Sequence, residues 1–339
     1  MYQESKECIK QTKDSPMIVS KKSIKPIGGY MPLQVPTGSS YYPTLIAVNA
    51  GRNALEYILR IRKYDIIYFP YFTCEVLLEP LLKTGIQYRF YKIDENLDPI
   101  LDFEMEENSC LLYTNYFGIK TNTVKWLSTT IKNLIIDNAQ AFYAAPIKNV
   151  DTFYSCRKFF GVPDGAYVYT SAENTLHLEL DHSIERFSHL IKSIDYTIED
   201  GYLEYLKNNE TLCYSDIKSM SVLTQTLLES IDYEGCAQVR KDNFNYLHQQ
   251  LGSINKLKID FAYDDVPMVY PLLIENPKLR EKLISNKIFI PIYWPNVFDW
   301  ASPESYEYFL SKNLISIPID HRYTREDMQS LLTTLNSLL

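Results

Sequence analysis

Short apolar runs, each closed by a turn or polar residue, recur along the first half of the chain with helical stretches between them. Residues 44–48 read as a strand, and after Gly51 the apolar positions Ala54, Leu55, Ile58 and Leu59 fall on one face of a helix. Residues 66–69 form a strand-like run that stops at Pro70. A helix-like segment over 75–83 ends at Gly85, and Pro80 restricts it to a shorter or kinked piece. Runs at 86–93 and 110–113 are strand-like, a helix is expected around Val124, and the buried strand 134–136 ends in Asp137. The alternation continues at 152–154 and 165–169. Short apolar strands separated by helices predict an α/β fold, with a mostly parallel sheet covered on both faces. After about residue 171 longer helical periodicity takes over, as in 221–228, and implies a change of layer. The last hundred residues return to a short α/β pattern: strands at 269–273 and 288–291, a helix over 279–285 and a closing helix from Arg325. The expected division is a loose polar arm at 1–25, a large domain at 26–235 and a smaller C-terminal domain at 236–339.

The length of 339 residues and the 46% share of hydrophobic residues suit two domains or one large enzyme fold. With 34 basic against 42 acidic side chains the net charge is -8, which argues against a nucleic-acid partner. No run approaches the roughly 18 apolar residues of a membrane span. The opening residues lack the apolar stretch of a signal peptide, so no membrane partner and a cytoplasmic location are expected. The 6 cysteines are far apart with no Cys-x-x-Cys pair, and the 5 histidines form no His-x-x-x-His pattern. Reduced thiols and no metal site are expected.

Ligands of an open parallel sheet bind at the carboxyl ends of its strands. Four such places carry chemistry. Gly51, Arg52 and Asn53 open a helix directly after a strand, where free backbone N–H groups make an anion site. Asp137 ends a strand expected to be central, although an Asp there also suits a turn cap. Ser155 and Lys158 follow the run ending at Tyr154, and Phe159 and Phe160 come next. A lysine in apolar, aromatic surroundings is expected to have a lowered pKa and a nucleophilic amine. Tyr116 and Phe117 place rings at a further strand end, available to a flat ligand. An anion site, a buried carboxylate, a lysine amine and an aromatic plate are together the set that holds pyridoxal phosphate.

The ordered segments Gly51-Arg52-Asn53-Ala54-Leu55, Pro70-Tyr71-Phe72-Thr73, Asp137-Asn138-Ala139-Gln140 and Ser155-Cys156-Arg157-Lys158 resemble the DegT/DnrJ/EryC1/StrS aminotransferases, of fold type I among pyridoxal-phosphate enzymes. The resemblance covers about residues 27–339 and includes the ending 314–323. It implies a large domain with a mainly parallel seven-stranded sheet, a small C-terminal α/β domain, and a homodimer with active sites at the subunit interface. It further implies that Lys158 carries the cofactor covalently and shuttles the proton, while Asp137 pairs with the pyridine nitrogen. Gln140 would contact the phenolic oxygen and Ala139 would leave room for the ring. Ser155 and the backbone of Gly51, Arg52 and Asn53 would hold the phosphate.

The chain also departs from that pattern. Many members carry an aromatic residue after the Thr of Pro-x-x-Thr, whereas this chain has Cys74, so stacking falls to Phe72, Tyr116 or Phe117. The Arg-Asn-His-Gly stretch and the Gly-x-Asn-x-Arg loop of nucleotide-sugar members are absent, and 215–220 is the polar stretch nearest that place. Arg322 is the candidate clamp for a substrate carboxylate, with an ion pair as its other reading. The expected activity is transfer of an amino group from an amino-acid donor such as glutamate to a keto acceptor, including a nucleotide sugar for surface polysaccharide. The alternatives are another reaction on the same cofactor (lyase, racemase or dehydratase) and a silent relative acting as a binding partner. The family's sugar dehydratases have His in place of the lysine, so Lys158 argues against that branch.

Overall fold

The strongest apolar runs of the sequence become the strands of one central sheet. The computed structural model describes residues 27–339, so the arm expected at 1–25 lies outside the described residues. In chain order the strands are β1 (Ile46–Val48), β2 (Ile66–Pro70), β3 (Gln87–Tyr91), β4 (Ser109–Thr114), β5 (Leu134–Asn138), β6 (Asp151–Ser155), β7 (Ala166–Tyr169), β8 (Val269–Leu273) and β9 (Leu314–Pro318). The helices are α1 (Gly51–Arg62), α2 (Leu78–Thr84), α3 (Thr121–Thr130), α4 (Ser188–Asp195), α5 (Tyr202–Thr211), α6 (Val222–Glu229), α7 (Tyr233–Leu251), α8 (Leu279–Ser285), α9 (Val297–Trp300), α10 (Tyr306–Asn313) and α11 (Arg325–Leu338).

Seven strands form a sheet in the order β1-β7-β6-β5-β4-β2-β3. The pairs β2–β3, β2–β4, β4–β5 and β5–β6 are parallel, while β7 runs antiparallel to both β6 and β1. Both faces are covered, as a parallel sheet requires. Ile67, Phe69, Leu112, Ile135 and Phe153 point into one core layer with Ala54, Leu55 and Ile58 of α1. Tyr68, Leu111, Tyr113, Ile136 and Tyr154 point into the other, larger layer. The alternation along each strand therefore feeds two cores at once.

Pro80 splits the segment expected as one helix into a 3-10 turn over Glu75–Leu77 and the short α2, in whose first turn the proline needs no N–H partner. Strands β8 and β9 pair antiparallel in a separate small sheet. The run 288–291 is not a strand: Ile288 N–H bonds to the Leu283 carbonyl at the end of α8, and Pro291 interrupts any ladder. Residues Val35–Leu339 form one compact unit, and the boundary expected after residue 235 falls within α7. No helix among the described residues is long and apolar enough to cross a membrane.

Candidate active site

The carboxyl ends of β2, β4, β5 and β6 share one edge of the sheet, and the candidate residues gather there. Asp137 is the fourth residue of β5, stands opposite Thr114 of β4, and is 5% exposed. Its Oδ1 accepts the Ala139 N–H at 2.8 Å. Burial pushes its pKa up to about 6, opposed by that amide, by the charge of Lys158 and by the Thr114 hydroxyl. A carboxylate this buried with one backbone donor needs a cationic partner.

Lys158 closes a 3-10 turn over Cys156–Lys158 that follows β6 directly. The turn is fixed by the Cys156 carbonyl, which accepts the N–H groups of Phe159 and Phe160 at 3.0 and 2.9 Å. The Lys158 side chain is exposed, yet protein surrounds it as densely as a core residue, so it stands in a cleft instead of on an outer face. Burial acts to lower its pKa, but the lowered value expected from its aromatic surroundings does not result. Tyr293, Cys74 and Tyr205 act the other way, and the net direction is upward. Those three groups oppose the loss of a proton only when they ionise themselves.

The third part is the open start of α1. Its N-cap residue is Ala50, which has no side-chain oxygen to cap the helix, and the N–H groups of Gly51, Arg52 and Asn53 make no backbone hydrogen bond. A Cβ built on Gly51 would stand 3.6 Å from Ser155 Cβ and 3.9 Å from Ser155 Oγ. The helix start and the serine hydroxyl thus face one hollow that a larger residue at 51 would fill. Only the backbone of the next two residues is available there. Arg52 Nη1 donates to Glu79 at 2.7 Å and to Cys213 Sγ at 3.2 Å, and the Asn53 amide donates to Asn49, Ser215 and Asp216. The polar stretch 215–220 is accordingly tied to its own chain beside α1, with Lys83 Nζ adding a bond to the Ser215 carbonyl at 2.8 Å.

Gln140 is buried, and its Oε1 accepts the Phe117 N–H at 2.8 Å. Phe117 has φ +56 and Gly118 has φ +72, and a Cβ on Gly118 would come within 2.8 Å of the Gln140 carbonyl oxygen and 2.9 Å of that of Val266. Only glycine fits there. Ala139 is partly exposed, with Asp137 and Gln140 buried on either side.

Two further expectations need correction. Phe72, Tyr116 and Phe117 have no exposed surface: Phe72 packs between Tyr116 and Trp294, and the Tyr116 hydroxyl donates to the Phe72 carbonyl at 2.9 Å. None has a free face to offer a flat ligand, because these strand-end rings seal the larger core. Arg322 is the second. Its guanidinium binds Asp320 through two bonds of 2.7 and 2.9 Å and is more than half exposed, so its carboxylate partner lies within the chain. In place of the three rings, Cys74 and Tyr293 come to Lys158, together with Tyr205 of α5. Cys74 was visible only as a departure in the Pro-x-x-Thr segment, and nothing local marked Tyr293, 135 residues after Lys158 in the chain.

The fold is that of the sugar aminotransferases. CalS13 of Micromonospora echinospora, described as a sugar aminotransferase, matches with a TM-score of 0.61 at 14% identity, over 87% of this chain and 87% of that one. A DegT DnrJ EryC1 StrS aminotransferase from Brucella abortus matches with 0.59 at 15% identity, over 86% and 85%. The putative sugar aminotransferase Spr1654 of Streptococcus pneumoniae, in its PLP form, matches with 0.59 at 14% identity, over 88% of each chain. No family model and no curated protein matches the sequence.

Proposed function

We propose that the chain is a pyridoxal-phosphate-dependent aminotransferase of the DegT/DnrJ/EryC1/StrS type. The observation that carries this reading is the gathering of Lys158, Asp137 and the uncapped start of α1 facing Ser155 along one sheet edge. These residues fit the cofactor: the hollow between Gly51 and Ser155 suits a phosphate, and the under-partnered Asp137 suits a protonated ring nitrogen. Pyridoxal phosphate, when bound, supplies an electron sink that stabilises negative charge at a carbon losing its proton.

The chain's own residues supply the rest. Asp137 holds the proton on the pyridine nitrogen. Ser155 Oγ and the α1 amides hold the phosphate, with the positive end of the helix favouring its charge. Gln140, oriented by Phe117, presents its remaining amide group to the phenolic oxygen, and Ala139 leaves room for the ring. Lys158 anchors the cofactor and, as a neutral amine, takes a proton from the substrate and returns it. Residues 26–235 would form the cofactor domain and 236–339 the smaller one. The donor is an amino acid such as glutamate, and the acceptor a keto sugar carried on a nucleotide. The solved structures of the same fold bear sugar-aminotransferase names, which supports a sugar as the acceptor. The same reading includes a cytoplasmic role in surface polysaccharide synthesis.

A homodimer belongs to the same reading. Ile184, Ile191, Ile194, Ile198, Tyr202 and Leu203 are all exposed around α4 and α5, a large apolar surface for a single chain. Tyr205 of α5 reaches the neighbourhood of Lys158, so a second copy seated on this face would border the cleft. Ile194→Asp should shift the chain toward monomer in sedimentation.

Borohydride reduction of the protein incubated with pyridoxal phosphate, followed by peptide mapping, tests the assignment of the lysine. A pyridoxyl group on Lys158 alone supports it; modification scattered over surface lysines contradicts it.

A further inference from the structure

Arg240 lies in the middle of α7 with 2% of its surface exposed, and its charge is incompletely matched. Nη1 donates to the Met268 carbonyl at 3.0 Å and Nη2 to the Phe159 carbonyl at 3.4 Å, while the buried Nε has no partner. Neutral carbonyls satisfy bonds but leave a buried positive charge without a counter-ion, which is costly. The nearby carboxylate, Asp320, is already bound bidentately by Arg322. Asp320 thus faces two guanidinium groups, and the other carboxylate of the region, Asp232 at the start of α7, is exposed to solvent.

Two further buried atoms have no partner, Tyr143 Oη and His321 Nδ1, and both side chains lie near enough to Arg240 for its charge to act on them. The three side chains ring the Phe159–Phe160 pair. Arg240 Cζ lies 4.6 Å from the Phe159 ring centre, Tyr143 lies 5.8 Å from Phe159 and 6.3 Å from Phe160, and His321 lies 6.2 Å from Phe160. Tyr143 and His321 keep part of their side chains exposed, although the three orphaned atoms themselves are buried. Burial and the charge of Arg240 push the His321 pKa down, leaving a neutral ring able to donate through Nδ1 in one tautomer. Burial pushes the adjacent Cys236 thiol up, so it adds no negative charge.

We infer that Arg240, Tyr143 and His321 form a binding site for a small oxyanion, a carboxylate or a phosphate, on the far side of the turn that carries Lys158. An ordered water would satisfy the three orphaned atoms but not the Arg240 charge; an oxyanion does both. This site is separate from the Gly51–Ser155 hollow and does not depend on which reaction the cleft performs.

Calorimetric titration with acetate and with inorganic phosphate tests it, on the wild type and on Tyr143→Phe, His321→Ala and Ser155→Ala. With acetate one saturable site per chain is expected; with inorganic phosphate the Gly51–Ser155 hollow adds a second that Ser155→Ala weakens, while the site inferred here is retained in Ser155→Ala and weakened about tenfold by Tyr143→Phe, the effect of losing one hydrogen bond to a charged group. The stronger of the two anions identifies the class of occupant. Tyr143→Phe removes only an unpartnered hydroxyl, so thermal unfolding should confirm an intact fold. Absence of saturable binding, or binding equal in Tyr143→Phe, His321→Ala and wild type, would overturn the inference and leave an ordered water in its place.

Discussion

Gly51 and Ser155 meet across the open start of α1, where a Cβ on the glycine would rest 3.6 Å from that of the serine. That distance is ordinary van der Waals contact, so an alanine at 51 fits the protein but occupies the hollow. Gly51→Ala should leave thermal stability equal or slightly higher, since alanine favours a helix by up to about 1 kcal/mol. Its affinity for pyridoxal phosphate should fall at least tenfold. Ser155→Ala should lose about tenfold through one charge-assisted hydrogen bond. Cofactor titration beside a melting curve separates the two effects, and a parallel loss of stability would contradict this account of Gly51.

Asp137 is held in the apoprotein at a cost. Its folded-state pKa of about 6 lies above the ordinary 3.8, so the folded chain binds the proton more tightly than the unfolded one. Stability therefore falls as pH rises from about 4 to about 6, by up to roughly 3 kcal/mol, and stays lower above that. Asp137→Asn keeps an acceptor for the Ala139 N–H and removes the charge. Denaturant unfolding without cofactor should show the variant more stable than wild type at pH 7.5 and nearly equal at pH 4, while its transaminase activity falls by two orders of magnitude or more. A destabilised variant at pH 7.5 would contradict the burial argument.

Arg322 is bound to Asp320 at the surface, and exposed pairs contribute about 0–1 kcal/mol. Arg322→Ala should change stability by no more than that and leave KM for the amino-acid donor within twofold. A large rise in KM with kcat unchanged would restore Arg322 as the carboxylate clamp.

Gly118→Ala should be the most damaging small substitution near the cleft. The added Cβ meets two carbonyl oxygens below 3.0 Å at φ +72, where an L residue is strained already. A loss of about 2–4 kcal/mol is expected, read as a lowered denaturation midpoint.

Much of this architecture was legible because buried parallel strands are written as continuous apolar runs. Leu134, Ile135 and Ile136 announced β5 and placed Asp137 at its end, and the run to Tyr154 did the same for Ser155 and Lys158. Aromatic residues gave a false lead for the opposite reason: Phe72, Tyr116 and Phe117 follow strands just as a stacking ring would, but the large core layer claims them. Local sequence could not separate a ring facing a cleft from one facing a core. The run 288–291 is β-rich in composition yet has no strand beside it to pair with. Arg322 and Arg240 show the limit most plainly. Only the folded chain reveals that Asp320 takes one guanidinium and that the other, inside a long polar-patterned helix, is left without a counter-ion.

The central claim is that Lys158, Asp137 and the α1–Ser155 hollow together bind pyridoxal phosphate for amino transfer. The most direct test is the absorbance spectrum of the protein with added pyridoxal phosphate, recorded before and after glutamate, beside Lys158→Ala. The account predicts a visible band of covalently held cofactor that disappears with glutamate and is absent in the variant. A protein that stays colourless and cannot be loaded, or a band equally strong in Lys158→Ala, would contradict it.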